Sequence, residues 1–433
     1  MIIAGWGNNN IIRSDIFYPK NEQEIIEILK KLNNEGIITR GLGRSYGDMS
    51  LYKNILSLER YKKIFELDEK TGILRCSSNL SIVEIIEKIV NKGWFLNVTP
   101  GSKYVTIGGA IANDVHGKNH HKDGSFSEYV EEIKIITPDG KINICSNKSE
   151  YDLFKATCGG AGLTGVIVSA KLKLLKIKSK NLDVTIFKTK SIDETLKKFR
   201  ELNENKYLVA WLDTINKKNF GKAVIFSGDH SEDNDLNLKL KKSFNLPSFI
   251  GNLFMNNFFM SIFNKLYFLK HQNNFKVKQD MDTFFYPLDR VLNWNKFYGK
   301  KGFTQIQILI KDEDKYKEIL FKIFDFFTEK NIYSYLTTLK EYGQGNNNYL
   351  SFAEKGLSVT LDIPLKNGFL IIYEEFENIL LNQNVKIYLA KDSFMSKAFF
   401  HKSYNKINEF INFKKKIDPS SKFKSIQSQR LGL

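Results

Sequence analysis

Residues 105–126 read VTIGGAIANDVHGKNHHKDGSF and place a glycine pair shortly before a cluster of three histidines. Two more glycine-rich stretches accompany it, GLGRSYGD at 41–48 and GGAGLTG at 159–165. Glycine has no Cβ, so backbone N–H groups in such loops can approach an anion closely. Three loops of this kind predict a large phosphate-bearing cofactor, and the alternative is that they are only turns.

The third loop contains a literal G-x-G-x-x-G at Gly160, Gly162 and Gly165. In a Rossmann dinucleotide site this motif follows a strand and opens a helix. Here it follows the helix-like SEYDLFKAT and precedes the strand-like VIVSAKLKL. The pattern G-x-x-x-x-G-K-[ST] is absent from the sequence. The sequence therefore does not favour a nicotinamide Rossmann fold or a P-loop NTPase.

The N-terminal part alternates short helices and strands. Apolar spacing predicts a helix over 22–34, and Ser81 and Glu84 form a capping box that opens a second helix ending at Gly93. Strands are predicted at 37–40, 132–137, 141–145 and 166–174. The region is therefore of the α+β class.

Beyond about residue 180 glycine becomes rarer and amphipathic segments follow. A second capping box is predicted at Ser191 and Glu194, a helix over 314–329 and a closing helix over 400–413. Strands are predicted at 208–213, 223–227, 304–310 and 357–363. This order predicts an antiparallel sheet with helices packed on one face.

The length and composition limit which classes of protein are possible. The 433 residues fit two or three soluble domains, with 42% hydrophobic and 26% charged residues. Three explanations compete for the net charge of +17: nucleic-acid binding, an anionic substrate or membrane surface, and a coding bias toward Lys, Asn and Ile. No nucleic-acid-binding motif accompanies the charge, so no nucleic-acid partner is predicted.

The three cysteines and the N-terminus predict the compartment. Cys76, Cys145 and Cys158 are odd in number and widely spaced, which indicates a reducing environment. The first residues, MIIAGWGNNN, lack the features of a signal peptide. A cytoplasmic protein is therefore predicted.

Residues 243–264 carry no charge and are flanked by lysines. Their length nearly spans a bilayer, but Asn, Pro and Gly interrupt them. A mobile apolar flap or an interfacial membrane contact is predicted, and a buried core segment is the alternative.

Taken together, the three loops resemble the FAD-binding domain of the vanillyl-alcohol oxidase superfamily and, within it, the decaprenylphosphoryl-ribose 2-oxidase family. The similarity extends through AWLD (210–213), FYPLD (285–289), AKDS (390–393) and the closing IDPSSKFKSIQSQRL. It covers nearly the whole chain, and the HGKNHH stretch at 116–121 is its most specific part.

The resemblance implies a two-domain α+β fold. An FAD-binding domain would comprise residues 1–178 and be completed by 391–433, with a substrate or cap domain over 179–390 and a flap at about 240–275. The flavin would lie at the junction. Many superfamily members attach it through a His in the first loop, where this sequence has Arg44. Arginine cannot form that bond, so the FAD is predicted to be non-covalent, with His116 as a separate potential attachment site.

The resemblance also assigns roles to residues. Lys391 would stabilise charge or help the substrate hydroxyl lose its proton, and His116 would position cofactor and substrate. The alternatives for this histidine are a structural role or a metal ligand paired with His120, but the glycine-rich loop is not typical of a helix and no metal is predicted. The predicted cofactor-binding residues are Gly41, Gly43, Arg44, Ser45, Tyr46, Gly47, Gly101, Thr106, Gly108, Gly109, Ala112, Asn113, His116, Gly117, Asn119, His120, Gly124, Gly160, Gly162, Gly165 and Tyr388. The predicted substrate-binding residues are Gln305, Gln307, Lys340, Ser358, Thr360 and Lys391.

One position departs from the family pattern. Some members have a Cys where this sequence has Thr360, so the chemistry here does not depend on a thiol at that position.

The leading functional prediction is oxidation of the 2-hydroxyl of a polyprenylphosphoryl pentose, completed to an epimerisation by a partner NAD(P)H-dependent reductase. The protein would act in the cytoplasm or at the inner face of a bacterial or archaeal membrane, in cell-envelope polysaccharide synthesis. The first alternative is an oxidase of a free sugar, alditol or aldonolactone, whose relatives carry H-W-x-K where this sequence has AKDS. The second is a basic nucleic-acid or membrane-binding module without catalysis.

Overall fold

The computed structural model describes residues 1–32, 35–215, 220–245, 247, 251 and 255–433, and two large sheets organise them. The first, in the N-terminal part, has the strand order β10–β9–β11–β7–β6, and β8 pairs with the distal half of β11. Its strands are β6 (Phe65–Asp68), β7 (Ile73–Ser77), β8 (Trp94–Leu96), β9 (Val130–Ile136), β10 (Ile142–Cys145) and β11 (Val166–Lys176).

Beside this sheet lies a small parallel sheet of β3 (Asp15–Phe17), β5 (Asn54–Leu56) and β4 (Ile38–Thr39). The C-terminal tail returns to it, because Ile37 forms a parallel bridge with Phe423. The helices of this part are α1 (Glu22–Lys31), α2 (Ile82–Ile89), α3 (Ile107–Ala112), α4 (His120–Asp123) and α5 (Tyr151–Thr157). Positions 33–34 of the first predicted helix lie outside the described residues.

Capping chemistry sets where the N-terminal helices begin and end. The side chain of Ser81 accepts a hydrogen bond from the backbone N–H of Glu84, whose carboxylate accepts one from the backbone of Ser81. The predicted capping box is thus confirmed. The chain leaves this helix through a single 3₁₀ turn, and Gly93 ends it in the left-handed conformation with φ of 78°.

The second sheet is antiparallel throughout and has eight strands in the order β16–β12–β14–β13–β19–β20–β18–β21. Its strands are β12 (Asn181–Thr189), β13 (Tyr207–Asp213), β14 (Lys222–His230), β16 (Phe275–Asp280), β18 (Phe303–Ile310), β19 (Thr337–Tyr342), β20 (Gly356–Pro364) and β21 (Val385–Ile387). The predicted α+β class is confirmed. The domain boundaries at 178 and 390 stay a prediction.

Alternation along the central strands divides this sheet into an apolar and a polar face. Ile306, Ile308 and Ile310 pack with helices α6 (Ile192–Glu201), α9 (Tyr316–Glu329) and α10 (Phe369–Leu380) in one buried cluster. Successive strand residues point to opposite faces, so Gln305 and Gln307 lie on the other side.

Two sequence predictions differ from the structure, and the prediction of a flap or membrane contact at 243–264 stays a prediction. The closing helix is two helices, α11 (Lys397–Ser403) and α12 (Ile407–Ile417), because Tyr404 is extended at the end of the first and its hydroxyl donates to the carbonyl of Ile387. The side chain of Ser191 caps α6, but the Glu194 carboxylate accepts from Lys190 and not from Ser191. The uncharged segment 243–264 contains the start of a helix, α7 (Asn257–Lys270), and residues 246, 248–250 and 252–254 of it lie outside the described residues.

The remaining elements are short. They are β1 (Ile2–Ala4), β2 (Ile11–Arg13), β15 (Phe244–Asn245), β17 (Val291–Leu292), α8 (Met281–Phe285) and α13 (Ile426–Leu431). Within the described ranges, no helix combines the length and the apolar character needed to cross a membrane.

Candidate active site

A cavity of about 760 Å³ lies between the glycine-rich loops and the polar face of the eight-stranded sheet. This volume falls within the range of about 300–1,000 Å³ that ligand pockets occupy. Residues from all three glycine loops line it, together with side chains of β18, β19 and β20. The two large sheets thus meet at this cavity.

The first two loops touch each other at the cavity wall. Thr106 caps α3 by accepting a hydrogen bond from the backbone N–H of Gly109. A Cβ at Gly41 would lie 2.4 Å from the hydroxyl oxygen of this same Thr106. A side chain at position 41 would therefore displace the hydroxyl that caps α3, and glycine leaves room for it.

The first loop is hydrogen-bonded to the N-terminal segment and to the AKDS segment. The backbone N–H of Gly7 donates to the carbonyl of Tyr46 at 2.9 Å, and the N–H of Tyr46 donates to the carbonyl of Ala390 at 2.9 Å. A Cβ at Gly47 would lie 2.0 Å from the carbonyl oxygen of Asp392. The loop therefore packs directly against the AKDS segment that carries Lys391.

The pairing register of β18, β19 and β20 brings polar residues together on one face of the sheet. Gln305 pairs with Asp362, Gln307 with Thr360, and Lys340 with Ser358 across neighbouring strands. Directly paired residues of antiparallel strands lie on the same face. This face consequently collects one cation, one carboxylate and several neutral polar groups.

His116 is buried against this face. Its Nε2 lies 2.9 Å from Nε2 of Gln307, and its ring centroid lies 4.9 Å from that of Tyr388 and 5.0 Å from that of Tyr342. Among the described residues, Nδ1 of His116 has no partner. Burial, with the positive charges of Lys340 and Lys391, holds the pKa of His116 well below its ordinary value. The imidazole is therefore neutral at physiological pH.

Lys391 lies on the cavity wall with its Nζ 5.9 Å from the centroid of the Tyr46 ring. No described residue accepts a hydrogen bond from this ammonium group or from that of Lys340. Burial, followed by repulsion from Lys340, lowers the pKa of Lys391, whereas the Asp362 carboxylate opposes that shift. Burial also lowers the pKa of Lys340 to about 8. A lysine in such surroundings can lose its proton near neutral pH.

Asp362 is completely buried and forms part of the cavity lining. Its Oδ1 accepts a hydrogen bond from Gln305, and its Oδ2 has no partner among the described residues. Burial raises the pKa of this carboxyl group, and the hydrogen bond from Gln305 and the charge of Lys391 oppose the rise. Asp362 is therefore placed to tune the charge of Lys391.

Comparison with known proteins agrees with this geometry. A family model described as an FAD binding domain matches residues 14–146. The whole chain is 30% identical to the decaprenylphosphoryl-beta-D-ribose oxidase of Mycolicibacterium smegmatis, and the match covers 97% of that enzyme. The chain belongs to the decaprenylphosphoryl-beta-D-ribose oxidase family. It is an FAD-dependent oxidoreductase, as the motifs predicted.

Similarity to other flavoenzymes is shorter. The chain is 24% identical over 36% of its length to a putative D-arabinono-1,4-lactone oxidase of Neurospora crassa, covering 28% of that protein. It is 27% identical over 36% of its length to a D-lactate dehydrogenase of Archaeoglobus fulgidus, covering 37% of that enzyme. The free-sugar alternative is therefore not favoured over the full-length family.

The cavity of this family member fits FAD chemically. Thr39 Oγ1, Arg44 Nε and Asn113 Oδ1 are buried polar atoms with no partner among the described residues, and all three side chains line the cavity. A buried polar atom without a partner is costly, so a bound ligand with phosphates and hydroxyls would satisfy these atoms. Of the predicted cofactor-binding residues, those on the wall are Gly41, Gly43, Arg44, Ser45, Tyr46, Gly101, Thr106, Gly108, Gly109, Ala112, Asn113, His116, Gly162, Gly165 and Tyr388.

Other predicted residues lie behind the wall of this oxidase cavity. Gln307 and Ser358 bond to each other at 2.9 Å and support His116. His120 is buried with its ring 4.7 Å from Tyr342. The predicted cofactor-binding residues that do not line the cavity are Gly47, Gly117, Asn119, His120, Gly124 and Gly160. Of the predicted substrate-binding residues, Gln305, Lys340, Thr360 and Lys391 line it.

Lys118 and Asp362 are among the charged residues of the oxidase cavity that the sequence analysis did not identify. Lys118 lines the wall and donates to the carbonyl of Phe284, and burial with repulsion from Lys340 lowers its pKa to about 7. It stands inside the HGKNHH stretch. Asp362 continues the alternation of Ser358 and Thr360 along β20, so the period of two that places those residues on one face would also have found it.

Proposed function

We propose that this enzyme oxidises the 2-hydroxyl of a polyprenylphosphoryl pentose to the ketone, and that a partner NAD(P)H-dependent reductase completes an epimerisation. The observation that carries the proposal is the full-length similarity to the mycobacterial oxidase, combined with a cavity of mixed chemistry. One part of the cavity presents Lys118, Lys340 and Lys391, and another presents aromatic side chains. An anionic sugar with an apolar tail matches both parts.

Each residue then has a defined task. FAD, when bound, supplies the two-electron acceptor for the alcohol. The neutral amine of Lys391 accepts the hydroxyl proton of the substrate, and the cation of Lys340 binds the phosphate. Neutral His116, held by Gln307, offers an unpaired ring nitrogen for a hydrogen bond to substrate or cofactor. The aromatic rings of Tyr342 and Tyr388 exclude water around it.

Substrate identity is tested with purified FAD-loaded protein and an artificial electron acceptor. Polyprenylphosphoryl ribose in detergent is compared with free ribose, an alditol and an aldonolactone, and products are identified by mass spectrometry. Loss of two hydrogens from the lipid-linked sugar supports the proposal. Turnover restricted to a soluble sugar contradicts it and points to a free-sugar oxidase.

Non-covalent FAD is the first specific prediction. Arg44 occupies the loop position used for covalent attachment in relatives, and its guanidinium carbon lies 4.0 Å from the centroid of the Trp6 ring. A guanidinium group cannot form the flavin bond. After acid precipitation, all flavin absorbance is expected in the supernatant. Flavin that stays with the precipitated protein would contradict the prediction and direct attention to His116.

The pH dependence of kcat/KM forms the second prediction. With Lys391 as proton acceptor, activity rises as pH passes through its lowered pKa, in place of the ordinary value near 10.4. Lys340→Gln removes a like charge, so the pKa of Lys391 and the rising limb move to higher pH by about one unit. Asp362→Asn removes an opposite charge, so the limb moves to lower pH by about one unit.

Lys415→Gln, which changes an exposed lysine of α12, is the control and should leave the profile unchanged. Shifts of the two variants in the same direction would contradict the electrostatic assignment. A rate that falls through the same pH range would show that the lysine acts as a cation and stabilises negative charge.

We also propose that the enzyme works at the inner face of a cell membrane, where a polyprenyl substrate is available.

A further inference from the structure

Helix α7 exposes an apolar stripe to solvent. Phe258, Ile262, Leu266 and Leu269 follow one another at spacings of four, four and three residues, which places them on one helix face. Their exposed fractions are 69%, 42%, 60% and 62%. Four large apolar side chains in one exposed row are unusual on a soluble surface and mark an interaction site.

The opposite face of α7 fixes the helix on the sheet. Asn264 is buried and donates to Oδ1 of Asp213 at 2.8 Å, and the ring of Tyr267 lies 4.8 Å from that of Trp211. Lys188 and Lys222 place their ammonium groups 4.2 and 4.7 Å from the centroid of the Phe268 ring. Because these contacts hold the inner face, the apolar stripe is directed outward.

The surroundings of the stripe are cationic. Between residues 236 and 279 the sequence has seven lysines and no Asp or Glu, and two of these lysines, Lys241 and Lys278, pair with Asp280 and Asp233. Lys265 and Lys270 are exposed on α7 itself, and Lys276 is exposed on the neighbouring strand β16. An apolar helix face bordered by lysines is the pattern that binds the interface of an anionic bilayer.

The same helix closes one side of the active-site cavity. Phe263 and Tyr267 line the cavity beside Trp211, Phe226 and Leu336. The cavity therefore extends from the cationic end near Lys391 to an aromatic arm that reaches α7. Tyr267 lies on the inner side of this helix, whereas Phe263 is 52% exposed and joins the arm to the apolar stripe.

We infer that α7 is the docking surface for an anionic lipid bilayer and that the aromatic arm along its inner side receives the lipid tail of the substrate. The first half stands on the exposed stripe and its lysines, and the second half rests on the proposed function. The helix lies in the interface and does not span it. Docking then delivers a membrane-held substrate directly into the cavity.

The test uses FAD-loaded protein and sedimentation with vesicles of phosphatidylcholine alone or of phosphatidylcholine with phosphatidylglycerol at three to one. Wild-type protein is expected to bind the anionic vesicles. The double variant Ile262→Ser with Leu266→Ser should lower the vesicle partition coefficient about tenfold or more. The matched control is Leu370→Ser with Ile371→Ser on α10, whose side chains are 53% and 63% exposed and whose loss should leave binding unchanged.

A second variant, Lys265→Gln with Lys270→Gln, should weaken binding to the anionic vesicles by several-fold and reduce the difference between the two vesicle types. Equal binding by the α7 and α10 variants overturns the inference. So does a wild-type dimer, seen by analytical ultracentrifugation, that the α7 variant abolishes, because a second copy would then cover the stripe. Bound flavin at wild-type level shows that each variant is folded.

Tail binding is tested separately with long-chain and very short-chain polyprenylphosphoryl ribose. Phe263→Ser should raise KM for the long-chain substrate in detergent about tenfold while changing KM for the short-chain one little. Equal effects on both substrates overturn the tail assignment. Vesicle binding without turnover of any lipid-linked sugar overturns the proposed function and the tail assignment but not the docking surface.

Discussion

Replacing Lys391 by Met is expected to lower the rate of flavin reduction by about two to four orders of magnitude while FAD stays bound. Lys391 is the lysine of the AKDS segment whose ammonium group has no described partner and whose pKa is lowered by burial and Lys340. Methionine retains an unbranched side chain as far as Cε and removes the amine that transfers the proton. The measurement is stopped-flow bleaching of the flavin under anaerobic conditions with polyprenylphosphoryl ribose.

A matched control and a rescue distinguish chemistry from folding. Lys397→Met changes an exposed lysine six residues away and should reduce flavin at the wild-type rate. Lys391→Ala should regain part of its activity with added ethylamine, in proportion to the neutral amine present. A Lys391→Met enzyme that reduces its flavin as fast as wild type would remove this lysine from the mechanism.

The sequence predicted those parts of the fold that depend on local patterns. Each glycine loop, each run of alternating apolar residues and the Ser81 cap depends on residues that are only a few positions apart. The structure contains all of these features. The prediction of one helix over 400–413 was wrong, because the backbone of Tyr404 is extended and its hydroxyl donates to the carbonyl of Ile387 on β21. The helical spacing of apolar residues carries no information about a hydrogen bond to a residue on another strand.

Some features of the candidate site also follow from local sequence patterns, and others depend on the assembled structure. Alternation along β18 places Gln305 and Gln307 on one face, and register with β19 and β20 brings Lys340 beside them. The tuning of Lys391 by Asp362 is a property of the assembled face, since the two residues come from different segments. Sequence motifs identified the lysine but gave no information on its charge state.

Three of the recognisable motifs meet in one ion cluster that no local pattern indicates. Arg430, from the closing SQRL, places its Nη2 2.9 Å from Asp48 of the first glycine loop and 2.9 Å from Asp392 of the AKDS segment. Its Nε also donates to Asp48 at 3.3 Å. The C-terminus thereby joins the loop that lines the cavity to the residue that follows Lys391.

Arg430→Met should therefore lower the free energy of unfolding by about 3–5 kcal/mol, the cost of leaving buried charges without their partner. The side chains of Asp48 and Asp392 are 3% and 0% exposed. Burial already raises the pKa of Asp48 to about 6 against the pull of Arg430, and the variant raises it further. A carboxyl group with a raised folded pKa binds its proton more tightly in the folded state, so stability falls as pH rises. The deficit should then be larger at pH 8 than at pH 5.

Urea unfolding followed by flavin release and by tryptophan fluorescence measures this deficit. Arg75→Met is the matched control, because Arg75 pairs with Glu66 at 2.9 Å on the surface, where both side chains are about half exposed. Its loss should change the free energy of unfolding by about 1 kcal/mol or less. If both variants unfold at the same urea concentration, the buried cluster does not hold the loop and the AKDS segment together. If Arg430→Met alone is destabilised and its flavin is released at lower urea, the C-terminal arginine secures the wall on which Lys391 stands.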